Sequence, residues 1–502
     1  MGDPVDHSSG ISLPAVFLAL FGGIGFAALL AGGTNQLLAA LYVSFLLVLL
    51  ATVNPPVAIM ASFVYLAVLG DSRRLVTVSM SASFDPMLLV GPLIAFVLAT
   101  RAYLGGLVDR RTRTAKLLVA LMAVMFVQIF NPLQGGIIVG IGGMLFYVVP
   151  VLWFWIGHAW GSQALLETVI FRVVVPVALM AAILGIYQAV YDYLPFERAW
   201  FARMLVYNVR ISGSTWRPMG FFSSSSEYTR YVATAMMAPV AAILARRPRA
   251  SLVVVPVLFV AIFFAGIRGP LVGAAMTLMV LWAVLGRSLK TSAVRMVVSG
   301  VVIFGGMIWT LNHLDPADIS SSPQLTSLIQ HQIDGVGHME DEHKSSGIGH
   351  VKAIFGGIWW GLTTPWGHGL GSTNMAGARL GGDVADTEVD FSDAFLSMGL
   401  VGGVIYLLFM GSIIRTGYRL WQHTRRPMFL VVISFMAANI TRWLYGGEYA
   451  CCALVFFCFG CLNRAALENG IARLVPQTGQ IGRPSRRRAR RAATHQVVRE
   501  RP

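Results

Sequence analysis

Charge is scarce in this sequence: Asp, Glu, Lys and Arg make up 12% of its 502 residues, against 56% hydrophobic residues and a mean hydropathy of +0.69. A water-soluble globule is thereby excluded, because too little polar surface remains to cover it. Cysteine is scarcer still, with Cys451, Cys452, Cys458 and Cys461 close together in one apolar run. They read most simply as small packing residues; a metal or redox pair at Cys458-x-x-Cys461 would want a second ligand pair, which the sequence lacks. No basic n-region precedes the first apolar run, only Met-Gly-Asp-Pro-Val-Asp, so that run reads as a retained helix and not a cleaved signal peptide. Asp6 stands where myristoylation needs Ser or Thr. Solenoid or propeller repeats and inverted half-to-half symmetry are also missing.

What remains is a succession of apolar runs, each long enough to cross a ~30 Å hydrocarbon core as a helix. They lie near 12–31, 36–53, 55–70, 86–104, 117–131, 137–157, 168–190, 229–245, 251–266, 269–285, 296–312, 391–414, 427–443 and 448–463. The expectation is an all-α polytopic membrane protein with about fourteen transmembrane helices. If every run crosses, the basic clusters Arg110 to Arg113, Arg246 to Arg249, Arg287 to Arg295, Arg415 to Arg426 and the tail beyond Arg464 share one side. The positive-inside rule makes that side cytoplasmic and puts both termini there. Arg73 and Arg74, after the third run, break the pattern.

The chain then divides into a transmembrane bundle over 1–312 with an outer loop at 191–228, a large outer loop over 313–390, C-terminal helices over 391–463 and a tail over 464–502. The tail carries ten arginines against two acids, +8 of the chain's net +15. It suits a disordered segment against anionic headgroups, which attract such residues at ~1 kcal/mol each. A nucleic-acid arm is the other reading, and the lack of interleaved aromatics weighs against it.

The large loop is the one long polar stretch, with six of the ten histidines (His313, His331, His338, His343, His350, His368) and ten acids against three bases. Its acidity sets it apart from the cytoplasmic side, and chemistry is expected there. Six arginines also fall on the outer side, where topology does not ask for them: Arg198, Arg203, Arg210, Arg217, Arg268 and Arg442. Arg268 sits in a tight break, Ala-Gly-Ile-Arg-Gly-Pro, between two apolar runs. A charge at that boundary is costly and reads as functional, unless it snorkels or pairs with an acid such as Glu227. Arg217 lies in Arg-Pro-Met-Gly-Phe-Phe before Ser223 to Ser226 and Glu227. Guanidinium groups grip phosphate with two prongs, so an anionic lipid headgroup suits both arginines. Arg442 and Glu448 read as an interfacial salt bridge across a short turn.

Asp383, Asp386, Asp390 and Asp393 are spaced three, four and three, one face of a helix if the next span extends outward. Such a stripe can present a general base to a hydroxyl or merely favour a helix N-terminus; Asp393 lies deepest. His338-x4-His343 encloses Glu340, Asp341 and Glu342, a metal-ligand pattern or a solvated acidic run. The glycines around His368 follow no strand, so they do not read as a nucleotide loop.

Three stretches resemble, in order and spacing, the Wzy-type O-antigen polymerase and O-antigen ligase superfamily. Arg217-Pro-Met-Gly-Phe-Phe-Ser is similar to the family's Arg-x-x-Gly-(Thr/Phe)-Phe segment. Ile267-Arg268-Gly269-Pro270-Leu271 looks like its Ser-Arg-Gly turn. Pro365 through Gly367-His368-Gly369-Leu370-Gly371-Ser372, continuing to Asp393-Ala-Phe-Leu-Ser-Met-Gly-Leu-Val-Gly402, resembles its Pro-x-x-Gly-x-Gly-x-Gly-Ser and (His/Asp)-Asn-x-x-Leu-x-x-x-Gly-x-x-Gly motifs. Together they cover about residues 210 to 410.

The resemblance implies a glycosyltransferase of the all-helical GT-C type in the bacterial inner membrane, with its active site facing the periplasm. Its reaction would polymerise undecaprenyl-diphosphate-linked oligosaccharide units into an exopolysaccharide or O-antigen, without nucleotide sugars, cofactor or metal. Its partners would be those lipids, the membrane lipids and a polysaccharide chain-length regulator, and no nucleic acid. Arg217 and Arg268 carry over as binders of the donor diphosphate, with Lys352 where members often have another arginine. The ligase's His-Asn pair is replaced by Ser392-Asp393, so its histidine base does not carry over. That favours polymerase over ligase, with Asp393 or Asp390 as base and His368 in reserve. A secondary transporter or lipid-linked glycan flippase is the reading from another class; it would carry charges near the bilayer midplane.

Overall fold

The computed structural model describes residues 11–33, 35–76, 85–203, 210–212, 215–245, 253–286, 288–320, 322–337, 347–382, 384–444 and 446–471. Helices α1 (Leu13–Ala31), α2 (Gln36–Val53) and α3 (Pro55–Val76) open the bundle. They are followed by α4 (Val90–Leu104), α5 (Arg113–Gln128) and α6 (Ile137–Trp160). Next, α7 (Gln163–Thr168) runs through a π-helical stretch at Val169–Val174 into α8 (Val175–Tyr191). A short helix, α9 (Pro195–Arg203), and a hairpin of β1 (Arg210–Ser212) and β2 (Thr215–Trp216) lead to α10 (Ser225–Leu244). Helices α11 (Val254–Phe264), α12 (Arg268–Val284) and α13 (Leu289–Asn312) complete the first part. In the large loop lie α14 (Pro316–Ile319), α15 (Pro323–Gly337), α16 (Gly347–Thr363) and α17 (Met375–Leu380). The chain closes with α18 (Asp390–Thr424), α19 (Pro427–Ala438) and α20 (Tyr449–Glu468).

Among the described residues, nine helices are long and apolar enough to cross a membrane: α1 to α4, α6, the α7–α8 rod, α13, α18 and α20. The chain is therefore an almost wholly helical, multi-pass membrane protein. The other five apolar runs are helical too, but they are shorter or more polar. Helices α11, α12 and α19 have 11, 17 and 12 residues, and α10 carries the buried charges Glu227 and Arg230 in its first turns.

Arg246 to Arg249, Arg287 and the tail beyond residue 471 lie outside the described residues. Among the described residues, the basic segments at Arg110 to Arg113, at Arg415 to Arg426 and at Arg464 gather at one end of the bundle. There Thr112 donates to Asn463 at 2.8 Å, Arg464 to the Ala159 carbonyl at 2.7 Å and Arg426 to Gln163 at 2.7 Å. The cysteines of α20 are all buried and unbridged, and Cys461 packs on Gly161 after α6. Helices α6 and α20 touch backbone to backbone at Gly157 and Gly460, where no Cβ would fit, the small-residue contact common between membrane helices.

Arg73 and Arg74 lie at the opposite end, and ion pairs account for them. Arg73 pairs with Asp85; the buried Arg74 pairs with Asp71 and, at 3.2 Å, with Glu197. Arg74 also donates to the carbonyls of Gly220, at 3.3 Å, and Phe222. It thus ties α3 to α9 and to the turn before α10.

Candidate functional site

Arg217 and Arg268, each singled out from sequence, meet at this second end through His331 on α15. Arg217 Nη2 is 3.2 Å from His331 Nε2, and Arg268 Nη2 is 3.5 Å from His331 Nδ1 and 3.2 Å from the His331 carbonyl, to which it donates. All three side chains are half-buried.

Each is held by its own scaffold. Tyr193 and Ser225 both donate their hydroxyls to the Arg217 carbonyl, the latter at 3.2 Å. The next turn is fixed by Gln188, whose Oε1 accepts from the amides of Met219 at 3.0 Å and Gly220 at 2.8 Å. Its Nε2 donates to the Gly220 carbonyl at 3.0 Å and to Glu197 at 2.9 Å. Ser224 then caps α10 by accepting from the Glu227 amide at 3.1 Å. On α15, Leu325, Leu328, Ile329 and Ile333 recur at helical spacing and are buried against Ala189 and Leu311. That packing turns His331 toward the arginines, and Gln332 donates to the Ile267 carbonyl at 3.3 Å beside Arg268.

Burial and the two positive charges shift the groups at this cluster. Burial first, and then the Arg268 charge, hold the Arg217 guanidinium below its ordinary range, with Glu388 pulling it back. Burial, then Arg268 and Arg217, push the His331 imidazole down to about 4, against Asp334. The ring is neutral at pH 7, and the site is rich in positive charge and donors.

Beside it lies the acidic segment, arranged differently from the expected stripe. Helix α18 begins at Asp390, after an extended Val389, so Asp386 is not on its face; Asp383 lies outside the described residues. Asp390 is buried and accepts from the Leu444 amide and, at 3.4 Å, from the Tyr406 hydroxyl. Asp393, 1% exposed, accepts on Oδ1 from both the amide of Thr387 at 2.9 Å and its hydroxyl at 2.8 Å. Both carboxylates are buried. Glu388 is exposed, sits in the left-handed region at φ 61°, and its charge reaches Arg217.

The expected Arg442–Glu448 pair is exchanged for two others. Arg442 reaches Asp386 at 3.5 Å, and Glu448 takes Arg230 and, at 2.5 Å, Ser226. Glu227, the partner considered for Arg268, instead accepts from the Ala450 amide at 2.9 Å.

His368 is built into a turn. At Gly399, φ 67°, α18 breaks, and the freed carbonyls of Leu396 and Ser397 accept from the amides of His368 and Gly369, each at 2.9 Å. The His368 ring faces the Leu396 carbonyl at 3.2 Å and the Trp360 ring at 5.5 Å. The glycine motif is thus a plug for a helix break: Gly367, φ 73°, has no room for a Cβ against Ser397 and Gly399. Lys352 stands exposed on α16. His338 and His343 lie outside the described residues.

Sequence reading missed His331 and Glu388. His331 had a signal, its place on an apolar-periodic helix within the polar loop; Glu388 had none apart from its neighbours.

These features define a multi-pass helical membrane protein with a donor-rich, cationic site and an acidic turn at one end of its bundle. No family model matches the chain, and no curated protein matches it in sequence.

Proposed function

We propose that this protein is a GT-C-like membrane glycosyltransferase with about fourteen crossings that polymerises undecaprenyl-diphosphate-linked oligosaccharides at the periplasmic face of the bacterial inner membrane. The observation that carries the reading is the meeting of Arg217 and Arg268, from separate segments, on one neutral histidine beside an exposed acid. Diphosphate is a good leaving group once its charge is held. Guanidinium groups stabilise the charge that builds on it as the bond to the sugar breaks, and a carboxylate takes the proton from the attacking sugar hydroxyl. Glu388 is the better-placed base, because it is exposed and electrostatically linked to Arg217. Asp393 then acts by fixing Thr387, one residue before it.

A transporter reading fits less well. The break in α18 has its freed carbonyls satisfied by residues 368 and 369, and the buried charges Glu227, Arg230, Asp390 and Glu448 sit in outer turns, not at mid-span.

The deciding experiment is to delete the protein and analyse the lipid-linked glycans. A polymerase leaves single repeat units on undecaprenyl diphosphate, accessible from outside, with long chains absent. Long chains on that lipid, never joined to an acceptor, would make it a ligase; single units stranded on the inner leaflet would make it a flippase.

A further inference from the structure

Helix α16 has two unlike faces. Gly357 and Gly361, one turn apart, lie against the start of α18, and neither has room for a Cβ beside Ser392 and the Phe395 carbonyl. The Ser392 hydroxyl donates to the Ile354 carbonyl at 2.7 Å and fixes that contact. The other face carries Val351, Phe355, Trp359 and Leu362, spaced four, four and three, which places them on one side of the helix. All four are exposed, Phe355 to 68% and Trp359 to 65%, and Trp366 just past the helix is exposed to 81%. A contiguous apolar ridge of this size marks a contact surface, and it lies within the one long polar loop of the chain.

Its position says what covers it. The Pro365 carbonyl accepts from the Leu400 amide at 3.1 Å, and the Trp366 carbonyl accepts from Gln128 at 2.6 Å. Trp366 therefore stands where α18, past its break at Gly399, enters the stretch that crosses the membrane. That stretch exposes Val401, Val404 and Leu408, which on a crossing helix face lipid. The ridge of α16 thus adjoins a surface already committed to lipid. Its residues suit the boundary itself: tryptophan concentrates at the headgroup level, and the segment 347–366 has Lys352 and no acid, the charge that anionic headgroups attract.

We propose that α16 and Trp366 lie in the plane of the membrane, with the Val351, Phe355, Trp359 and Leu362 ridge seated in the leaflet nearest Arg217, His331 and Arg268. The large loop is then aqueous only in part. The proposal stands apart from the glycosyltransferase reading, but it brings a lipid surface to the cluster: Gly357 packs on Thr387, and the charge of the next residue, Glu388, reaches Arg217.

The test uses the full chain in vesicles of phosphatidylethanolamine and phosphatidylglycerol, with single nitroxide labels on Val351→Cys, Phe355→Cys, Trp359→Cys and Leu362→Cys; the four native cysteines are buried. Val404→Cys serves as the lipid standard and Ala317→Cys as the water standard. Relaxation by oxygen and by a water-soluble nickel chelate should place all four labels about 5–10 Å below the headgroup boundary, with oxygen dominating as at Val404. Nickel accessibility like that of Ala317 would overturn the proposal by putting the ridge in water. Protection from both reagents would overturn it too, because protein, a second copy or another segment of this chain, would then cover the ridge. Trp359→Phe and Trp366→Phe keep the ridge aromatic and check the result without a label. Each should remove part of the tryptophan fluorescence quenched by brominated lipid and none of that quenched by iodide, and the opposite pattern would contradict the proposal.

Discussion

Nη2 of Arg217 stands 3.2 Å from Nε2 of His331, which joins the turn before α10 to a helix of the large outer loop. The pairing needs both scaffolds at once: Gln188, Tyr193 and Ser225 set the loop, and the buried leucines and isoleucines of α15 set the ring. Arg268 completes the cluster because the break between α11 and α12 leaves it at the end of the bundle.

The roles of the acids separate by substitution. Glu388→Gln should cut turnover by a factor on the order of 100 or more with donor binding kept. Asp393→Asn keeps an acceptor for Thr387, so it should lower turnover less and reduce the melting temperature. Complete inactivation by Asp393→Asn beside an active Glu388→Gln would make Asp393 the base.

Arg74→Met should destabilise the fold, because it leaves Asp71 and Glu197 facing each other in a buried place. Breaking such a pair costs about 3–5 kcal/mol. Thermal melting should show a large fall, partly restored when Glu197→Gln is added; an unchanged melt would mean that the tie between α3 and α9 is dispensable.

Acid should weaken the fold through His331. Its imidazole is held down at about 4 against an ordinary 6.5, by burial and by Arg268 and Arg217, with Asp334 opposing. Between those values the unfolded chain takes the proton first, so stability is lost as pH falls from 6.5 toward 4. The melting temperature of the unaltered protein should fall more steeply over that window than that of His331→Asn. Parallel curves would show that the ring does not titrate differently on folding.

Much of this could be read from the sequence, and what could not has physical reasons. Apolar runs announce membrane helices directly, and a costly arginine at a helix break is conspicuous alone, as Arg268 was. His331 is one of six histidines in its loop, and only tertiary packing selects it. The aspartate spacing suggested a helix face, but the extended backbone at Val389 ends the helix before Asp386 can join it. The glycines around His368 stood out in the sequence only as part of a motif resemblance, because the break at Gly399 that they plug leaves no mark in the local pattern. Arg73 and Arg74 broke the charge rule, and of the acids that pair with them only Asp71 is close in sequence, whereas Asp85 and Glu197 are 12 and 123 residues away.

Topology is checked by single cysteines at two sites. Ala317→Cys, exposed in the large loop, should react with an impermeant thiol reagent on intact spheroplasts, and Thr494→Cys in the basic tail should not. The reverse pattern would invert the bundle in the membrane.

The most direct test of the diphosphate clamp is Arg268→Lys, with protein level in the membrane measured alongside. Lysine keeps the charge and loses two-pronged phosphate binding, so polymer should fall by most of its amount, with short lipid-linked units accumulating on the outer leaflet. Full-length polymer made at normal abundance by Arg268→Lys, and likewise by Arg268→Ala, would contradict the clamp.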